Sequence, residues 1–349
     1  MPQALKTTSS TADAGARSGE PVKLQFDGRL YDCHDSETVL EALLRQGAPV
    51  SYSCRSGVCL TCMLRSAGGQ VPVEAQDGLR DALRLDGYFL ACVCKPTRDL
   101  DIVAPDDAAV YGRAIVRLVE HLAPTVCRVL LESATALYYR AGQFVNLRRA
   151  DGLVRSYSLA SVPHLDECLE LHVKRLPDGT MSNWIFDELG LGDALDIDGP
   201  NGKCFYVPGA PEHDMLMIGN GTGLAPLYGI ARDALHSGHT GEIRLYHGSR
   251  HAAGLYLANA LREIEAKYPN FHYIPCVSGD AVPAGHRAGR ADAVAFNDHP
   301  DLTGWRVHLC GYPPMVHAGK KTAYLAGASV TDIHADPFEL RELRSEPCG

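Results

Sequence analysis

Cys54, Cys59 and Cys62 crowd into nine residues, and Cys92 follows after 29 more. This C-x4-C-x2-C…C order is the ligand spacing of a plant-type 2Fe-2S centre, in which three thiolates from one tight loop and a fourth from a distant segment give two ligands to each iron. Ser56 and Gly57 are small enough to let backbone N–H groups approach the sulfurs and tune the potential. A zinc site would ordinarily use paired C-x2-C knuckles or His ligands, and neither surrounds these residues. Buried free thiols are the other alternative. Of the twelve cysteines, Cys33, Cys127, Cys168, Cys204, Cys276, Cys310 and Cys348 are scattered singly, and only Cys94 competes with Cys92 for the fourth position.

A chain of 349 residues exceeds what one hydrophobic core usually organises, so two or three domains are expected. The opening stretch, Met1 to Glu20, is rich in Ser, Thr, Ala and Gly and has neither an apolar nor a basic region of signal-peptide type. It reads as a disordered tail, which favours the cytoplasm. Cysteines spread so widely, without a secretion signal, do not form a disulfide scaffold. No apolar run approaches the roughly 18 residues of a membrane span. A formal net charge of −9 argues against nucleic acid or an anionic membrane as the main partner, leaving small molecules and proteins.

Periodicity then divides the chain. Val22, Leu24 and Phe26, followed by Gly28 and Arg29 to Tyr31, suggest a hairpin. Val39, Leu40, Leu43 and Leu44 have helical spacing after Ser36 or Thr38 as N-cap, and Gly47 stops the helix. Asp99 to Val103 reads as a closing strand, with Pro105-Asp106-Asp107 as a linker. From about Gly112 to Val207, short β-prone runs at 114–119, 126–131, 143–147, 156–159 and 169–173 surround one helix at 181–189, the pattern of a small antiparallel barrel. Beyond Pro208-Gly209-Ala210-Pro211, apolar strands at 215–218, 243–247, 272–277 and 307–310 alternate with helices at 225–236 and 254–268, the doubly wound α/β pattern.

Several motifs fall at telling places in this frame. Arg155-Ser156-Tyr157-Ser158 follows Gly142-Gln143-Phe144; His172-Val173-Lys174 and Gly179-Thr180-Met181-Ser182 come next. Gly219-Asn220-Gly221-Thr222-Gly223-Leu224-Ala225-Pro226 follows an apolar strand and opens a helix, where backbone N–H groups can meet a pyrophosphate. Gly248-Ser249-Arg250 ends the second strand, and Cys310-Gly311-Tyr312-Pro313-Pro314-Met315 and His334-Ala335-Asp336-Pro337-Phe338 close the series. Read singly, they are a barrel core residue, a surface charge, an ordinary N-cap and an unliganded tight turn. In this order the chain resembles the ferredoxin-NADP reductase superfamily, in the arrangement of the oxygenase reductases, from about Val22 to Phe338.

That resemblance implies a multidomain α+β and α/β fold: a β-grasp ferredoxin domain at 21–106, an antiparallel β-barrel flavin domain at 107–208, and a doubly wound parallel-sheet nicotinamide domain at 209–349. Gly87 to Cys92 resembles the ferredoxin segment that carries the fourth ligand, so the expected metal set is Cys54, Cys59, Cys62 and Cys92. Leu60 stands where such ferredoxins more often have a small residue. By the same resemblance Tyr157 stacks on the flavin, Ser158 bonds a polar ring edge and Arg155 forks onto the pyrophosphate, while His172, Val173, Lys174 and Ser182 hold the rest of the cofactor. Gly219, Gly221, Thr222 and Gly223 shape the dinucleotide turn, Arg250 lies by the adenosine ribose, and Cys310, Gly311 and Met315 form the loop nearest hydride transfer. The 334–338 segment resembles the tail that sets an aromatic or acidic residue against the flavin ring, with Phe338 as the candidate. Tyr157, Thr222 and Cys310 are thus the residues closest to the chemistry.

FAD is expected over FMN because, in these families, an N-terminal ferredoxin accompanies FAD. The donor is NADH, with NADPH left open by Arg250. Three cofactors in one chain form a relay from hydride to single electrons, delivered to a Rieske or di-iron terminal oxygenase or to a separate ferredoxin in a transient complex. A reductase serving deoxysugar dehydration and a redox sensor are the rival readings.

Overall fold

The computed structural model describes residues 21–338 except residue 280. The tail expected before residue 21 and Cys348 lie outside the described residues. The chain divides into two compact units, one of residues 21–50 and 62–105, the other of residues 51–61 and 106–338.

In the first unit, β1 (Val22–Phe26) and β2 (Arg29–Cys33) form a hairpin whose two turn residues, Asp27 and Gly28, both have positive φ, 50° and 72°. This left-handed pair is what a two-residue turn needs to match strand twist. Helix α1 (Val39–Arg45) starts at Thr38, whose hydroxyl accepts from the Glu41 N–H while the Glu41 carboxylate accepts from the Thr38 N–H. It ends at Gly47, φ 79°, with Ala48 N–H bonded to Leu43 and Gly47 N–H to Leu44. Its buried face of Val39, Leu40, Ala42 and Leu43 belongs to the core over the sheet. β3 (Met63–Gly68), helix α2 (Asp81–Leu85), β4 (Tyr88–Leu90) and β5 (Leu100–Val103) complete a β-grasp sheet of order β2-β1-β5-β3-β4.

The second unit opens with a short helix, α3 (Asp107–Val110), capped by Asp106 where the sequence suggests a plain linker. Strands β6 (Gly112–Ala123), β7 (Val126–Ser133), β8 (Phe144–Arg148), β9 (Val154–Ser158), β10 (Leu169–Lys174) and β11 (Ala194–Asn201) form an antiparallel sheet of order β10-β7-β6-β11-β8-β9. A single bridge between Leu159 and Leu171 brings its two ends together as a barrel. Val129, Leu131, Val145, Leu147 and Leu171 fill it, with Ile185 of helix α4 (Thr180–Asp187) packed in. Each such burial stabilises by roughly 1.5–3 kcal/mol.

The same unit continues into a wholly parallel sheet of order β15-β14-β13-β12-β16-β17: β12 (Met215–Asn220), β13 (Ile243–Ser249), β14 (Phe271–Val277), β15 (Arg287–Ala288), β16 (Arg306–Gly311) and β17 (Ile333–Pro337). Helices α5 (Leu224–His236) and α6 (Ala258–Lys267) cover one face; α7 (Ala291–Asp298) and α8 (Pro313–Leu325) cover the other. Burial on both sides explains why these strands read as unbroken apolar runs. The strand order reverses at β12, so the carboxyl ends of β12 and β16 diverge into the crevice where such sheets receive ligands. Among the described residues no helix is long and apolar enough to cross a membrane.

Candidate cofactor sites

The loop of Cys54 and Cys59 is curled by three positive-φ residues: Arg55 at 53°, Gly57 at 78° and Leu60 at 60°. Leu60 adopts this conformation despite its side chain, at a cost of roughly 1 kcal/mol. The curl aims amides at sulfur. Cys54 N–H lies 3.3 Å from Cys59 Sγ, and the N–H groups of Cys59 and Ser56 each lie 3.3 Å from Cys54 Sγ. The Cys54 sulfur beside it and burial push the Cys59 thiol far up.

In the first unit, Ala91 N–H bonds the Cys62 carbonyl at 3.1 Å and sets Cys92 beside the start of β3. Both cysteines are buried. Cys94 faces a different duty: its carbonyl accepts the Val39 N–H at 2.8 Å, and burial, with Cys33 adding to it, pushes its thiol up to about 12. Among the described residues no three His, Cys, Asp or Glu side chains surround a single ion position. A two-iron cluster asks instead for two pairs of thiolates.

A cavity of about 490 Å³ opens where the barrel meets the parallel sheet. From the barrel it receives Arg155, Tyr157, Ser158, His172, Lys174 and Ser182; from the parallel-sheet side, Gly221, Thr222, Arg250, Gly311, Met315 and Phe338. Arg155 donates to the Val154 carbonyl at 2.8 Å. Lys174 extends toward the glycine turn, its Nζ 3.8 Å from where a Cβ on Gly221 would stand. With Arg250 and Arg290 these cations outnumber the lining carboxylates, Asp292 and Asp336, a balance that suits phosphate groups. Ser182 is occupied locally: its hydroxyl accepts from Leu176 N–H and donates to the Gly179 carbonyl, both at 3.1 Å. The first turn of α4 has no side-chain cap, leaving amides for an anion.

Four expected residues do not line the cavity: Val173, Gly219, Gly223 and Cys310. Val173 is barrel core. The two glycines serve packing. A Cβ on Gly223 would stand 2.2 Å from the Cys310 carbonyl oxygen, and one on Gly219 would stand 2.8 Å from Leu227 Cδ1. Cys310 is fully buried, its sulfur 3.7 Å from that of Cys204, and burial pushes its thiol well up. It supports the glycine turn from below through its carbonyl.

Asp336 is the acidic residue of the 334–338 segment, and the structure gives it a partner that the sequence does not name. Its carboxylate accepts the Ser158 hydroxyl at 2.7 Å, and burial pushes it up to about 6. His172 is buried and held between Glu170 Oε1 at 2.8 Å and the Tyr256 hydroxyl at 3.1 Å; burial lowers its pKa and keeps it neutral.

Three domain families match in the expected order: the 2Fe-2S iron-sulfur cluster binding domain over residues 22–97, the oxidoreductase FAD-binding domain over 124–206 and the oxidoreductase NAD-binding domain over 217–321. The reductase subunit of an aromatic O-demethylase from Amycolatopsis sp. is 39% identical over 324 residues, covering 89% of this chain and 96% of its own. The reductase component of the naphthalene 1,2-dioxygenase/salicylate 5-hydroxylase systems of Ralstonia sp. is 32% identical over 325 residues, covering 91% and 97%. The crystal structure of an Amycolatopsis cytochrome P450 reductase superimposes with a TM-score of 0.65 at 38% identity, covering 91% of this chain and 98% of that one. The protein is therefore an NAD(P)H-dependent oxidoreductase with 2Fe-2S, FAD and NAD domains, built to move electrons from the nicotinamide through flavin to iron-sulfur. It belongs to the ferredoxin-NAD(P)+ reductase family, in the branch formed by the reductase components of oxygenase systems.

Proposed function

We propose that this chain supplies electrons to an oxygenase, with Cys54, Cys59, Cys62 and Cys92 as the cluster ligands and the cavity at the barrel and parallel sheet as the shared flavin and nicotinamide site. The carrying observation is that one cavity collects Arg155, Tyr157 and Ser158 from the barrel together with Gly221, Thr222 and Gly311 from the parallel sheet. When bound, FAD would take one hydride, an electron pair, and release it as two single electrons that the 2Fe-2S centre would carry one at a time. Tyr157 offers a ring for stacking, Ser158 a hydroxyl already oriented by Asp336, and Arg155 and Lys174 the charge for pyrophosphates. The domains divide at 106/107 and 208/209, around the Asp106 cap and the Pro208 segment.

NADH is the donor in this reading. Arg290 is held by Asp292 through two contacts of 3.1 and 3.3 Å, so its charge is neutralised where a 2′-phosphate would need it. The protein works in the cytoplasm, where that donor is regenerated. The partner in this reading is a Rieske or di-iron oxygenase or a ferredoxin; the structure of an Amycolatopsis cytochrome P450 reductase adds a cytochrome P450 as a candidate acceptor.

Anaerobic titration with NADH and then NADPH, followed by absorbance and low-temperature EPR, tests the whole reading. Loss of flavin absorbance with a rhombic 2Fe-2S signal supports it and identifies the donor. A flavin that NADH leaves unbleached overturns it.

A further inference from the structure

Behind the glycine turn, on the sheet face covered by α5 and α6, lies a polar group that the electron path does not use. His247 of β13 is wholly buried. Its Nε2 is 3.3 Å from the Gly221 carbonyl oxygen, and its Nδ1 is 3.3 Å from the Tyr273 hydroxyl. The Tyr256 ring meets it edge-on at 5.6 Å, and the Tyr256 hydroxyl in turn reaches His172. Two histidine–tyrosine pairs thus run from the barrel to the glycine turn.

The proton positions follow from the partners. A carbonyl oxygen can only accept, so His247 Nε2 carries the hydrogen. Burial lowers this histidine to about 4, so the ring is neutral and Nδ1 is bare, accepting from Tyr273. The Glu170 carboxylate likewise draws the Nε2 hydrogen of His172, whose Nδ1 accepts from Tyr256. Each tyrosine is left as the donor, and both histidines are held in the same tautomer.

The Gly221 carbonyl therefore receives two donors, Leu224 N–H within the turn and His247 Nε2–H from beneath it. Gly221 itself has a φ of 52° and lines the cavity. A trans peptide sets the next N–H opposite its carbonyl. Anchoring the carbonyl on His247 therefore turns the Thr222 amide the other way, and Thr222 lines the cavity. We infer that His247 is a positioning residue for the nicotinamide dinucleotide, fixing the peptide plane between Gly221 and Thr222 so that the Thr222 amide is presented ready-oriented. This rests on the reading of the cavity as the nicotinamide site.

His247→Gln and His247→Asn in the holoprotein form the test, because a Gln amide reaches the Nε2 position and an Asn amide reaches only the Nδ1 position. The KM for NADH should rise about ten-fold in H247N, the equivalent of one lost hydrogen bond. In H247Q it should stay within about three-fold of the parent by the same conversion. Flavin content, the EPR signal and kcat at saturating NADH should be unchanged in both, which a merely structural role would not predict. Equal KM values in the two variants overturn the inference. A parent protein whose flavin NADH does not reduce would overturn the functional reading instead.

Discussion

The Ser158 hydroxyl donates to Asp336 Oδ2 over 2.7 Å, tying β9 of the barrel to β17 of the parallel sheet across 178 residues of chain. Burial raises this carboxyl from its ordinary 3.8 to about 6, against the pull of the Ser158 bond. Between those values the folded state binds more protons than the unfolded one. The carboxylate therefore costs stability above pH 6, and the cost fades as pH falls through 6 towards 4. Asp336→Asn keeps an acceptor for Ser158 and should be more stable than the parent at pH 8 by on the order of 2 kcal/mol, with no difference at pH 4. Thermal midpoints at both pH values check this. A gap that ignores pH would sink it.

Cys92 and Cys94 are two residues apart and both buried, and the Cys94 carbonyl accepts from Val39 N–H at the first turn of α1. Cys92→Ser should abolish the visible absorbance and EPR signal of the 2Fe-2S centre while NADH still bleaches the flavin. Cys94→Ser should keep both signals. A cluster that survives in C92S and is lost in C94S would reverse the ligand assignment.

Gly223 carries no cavity surface, so its substitution reaches the cavity only through packing. Because a Cβ would collide with the Cys310 carbonyl, Gly223→Ala should destabilise by about 2–4 kcal/mol and weaken NADH binding as the turn shifts. Gly190→Ala, where the added methyl would meet only Asp193 Oδ2 at 3.9 Å, should change stability by no more than about 1 kcal/mol. Chemical denaturation of the two variants side by side gives the comparison.

Asp292 restrains Arg290 at the edge of the cavity near Arg250. Asp292→Asn frees that guanidinium and removes a charge that repels a 2′-phosphate. The KM for NADPH should fall by about three- to ten-fold, with that for NADH little changed. If the ratio of the two KM values is unaltered, discrimination lies elsewhere.

Local chemistry in this chain is legible without coordinates. Gly28 marks its hairpin, Thr38 and Gly47 bracket α1, and the spacing of Cys54, Cys59 and Cys62 marks a loop that does curl its amides onto sulfur. What escapes is set by distant partners. β11 is hard to see because Asp196 and Asp198 interrupt its apolar pattern, and only the fold supplies Arg113, Arg148 and Asn146 to receive them. Helix α6 begins at Ala258 rather than near Gly254 because Leu257 takes a left-handed φ of 56°. Asp336 lies in a motif that admits an aromatic or an acidic residue, and the partner that gives it its role, Ser158, comes from another domain. Conversely, Gly219, Gly223 and Cys310 belong to a cofactor motif yet act beneath the surface, a distinction that spacing cannot make.

The parallel sheet ends on one side in β15, two residues long and exposed, with Arg287 fastened to Asp298 at 2.7 Å. On the other it ends in β17, whose last residue, Pro337, has no amide hydrogen to offer. Among the described residues, neither margin runs on as a long strand edge onto which another chain could zip. Short margins of this kind guard this sheet against self-templated aggregation.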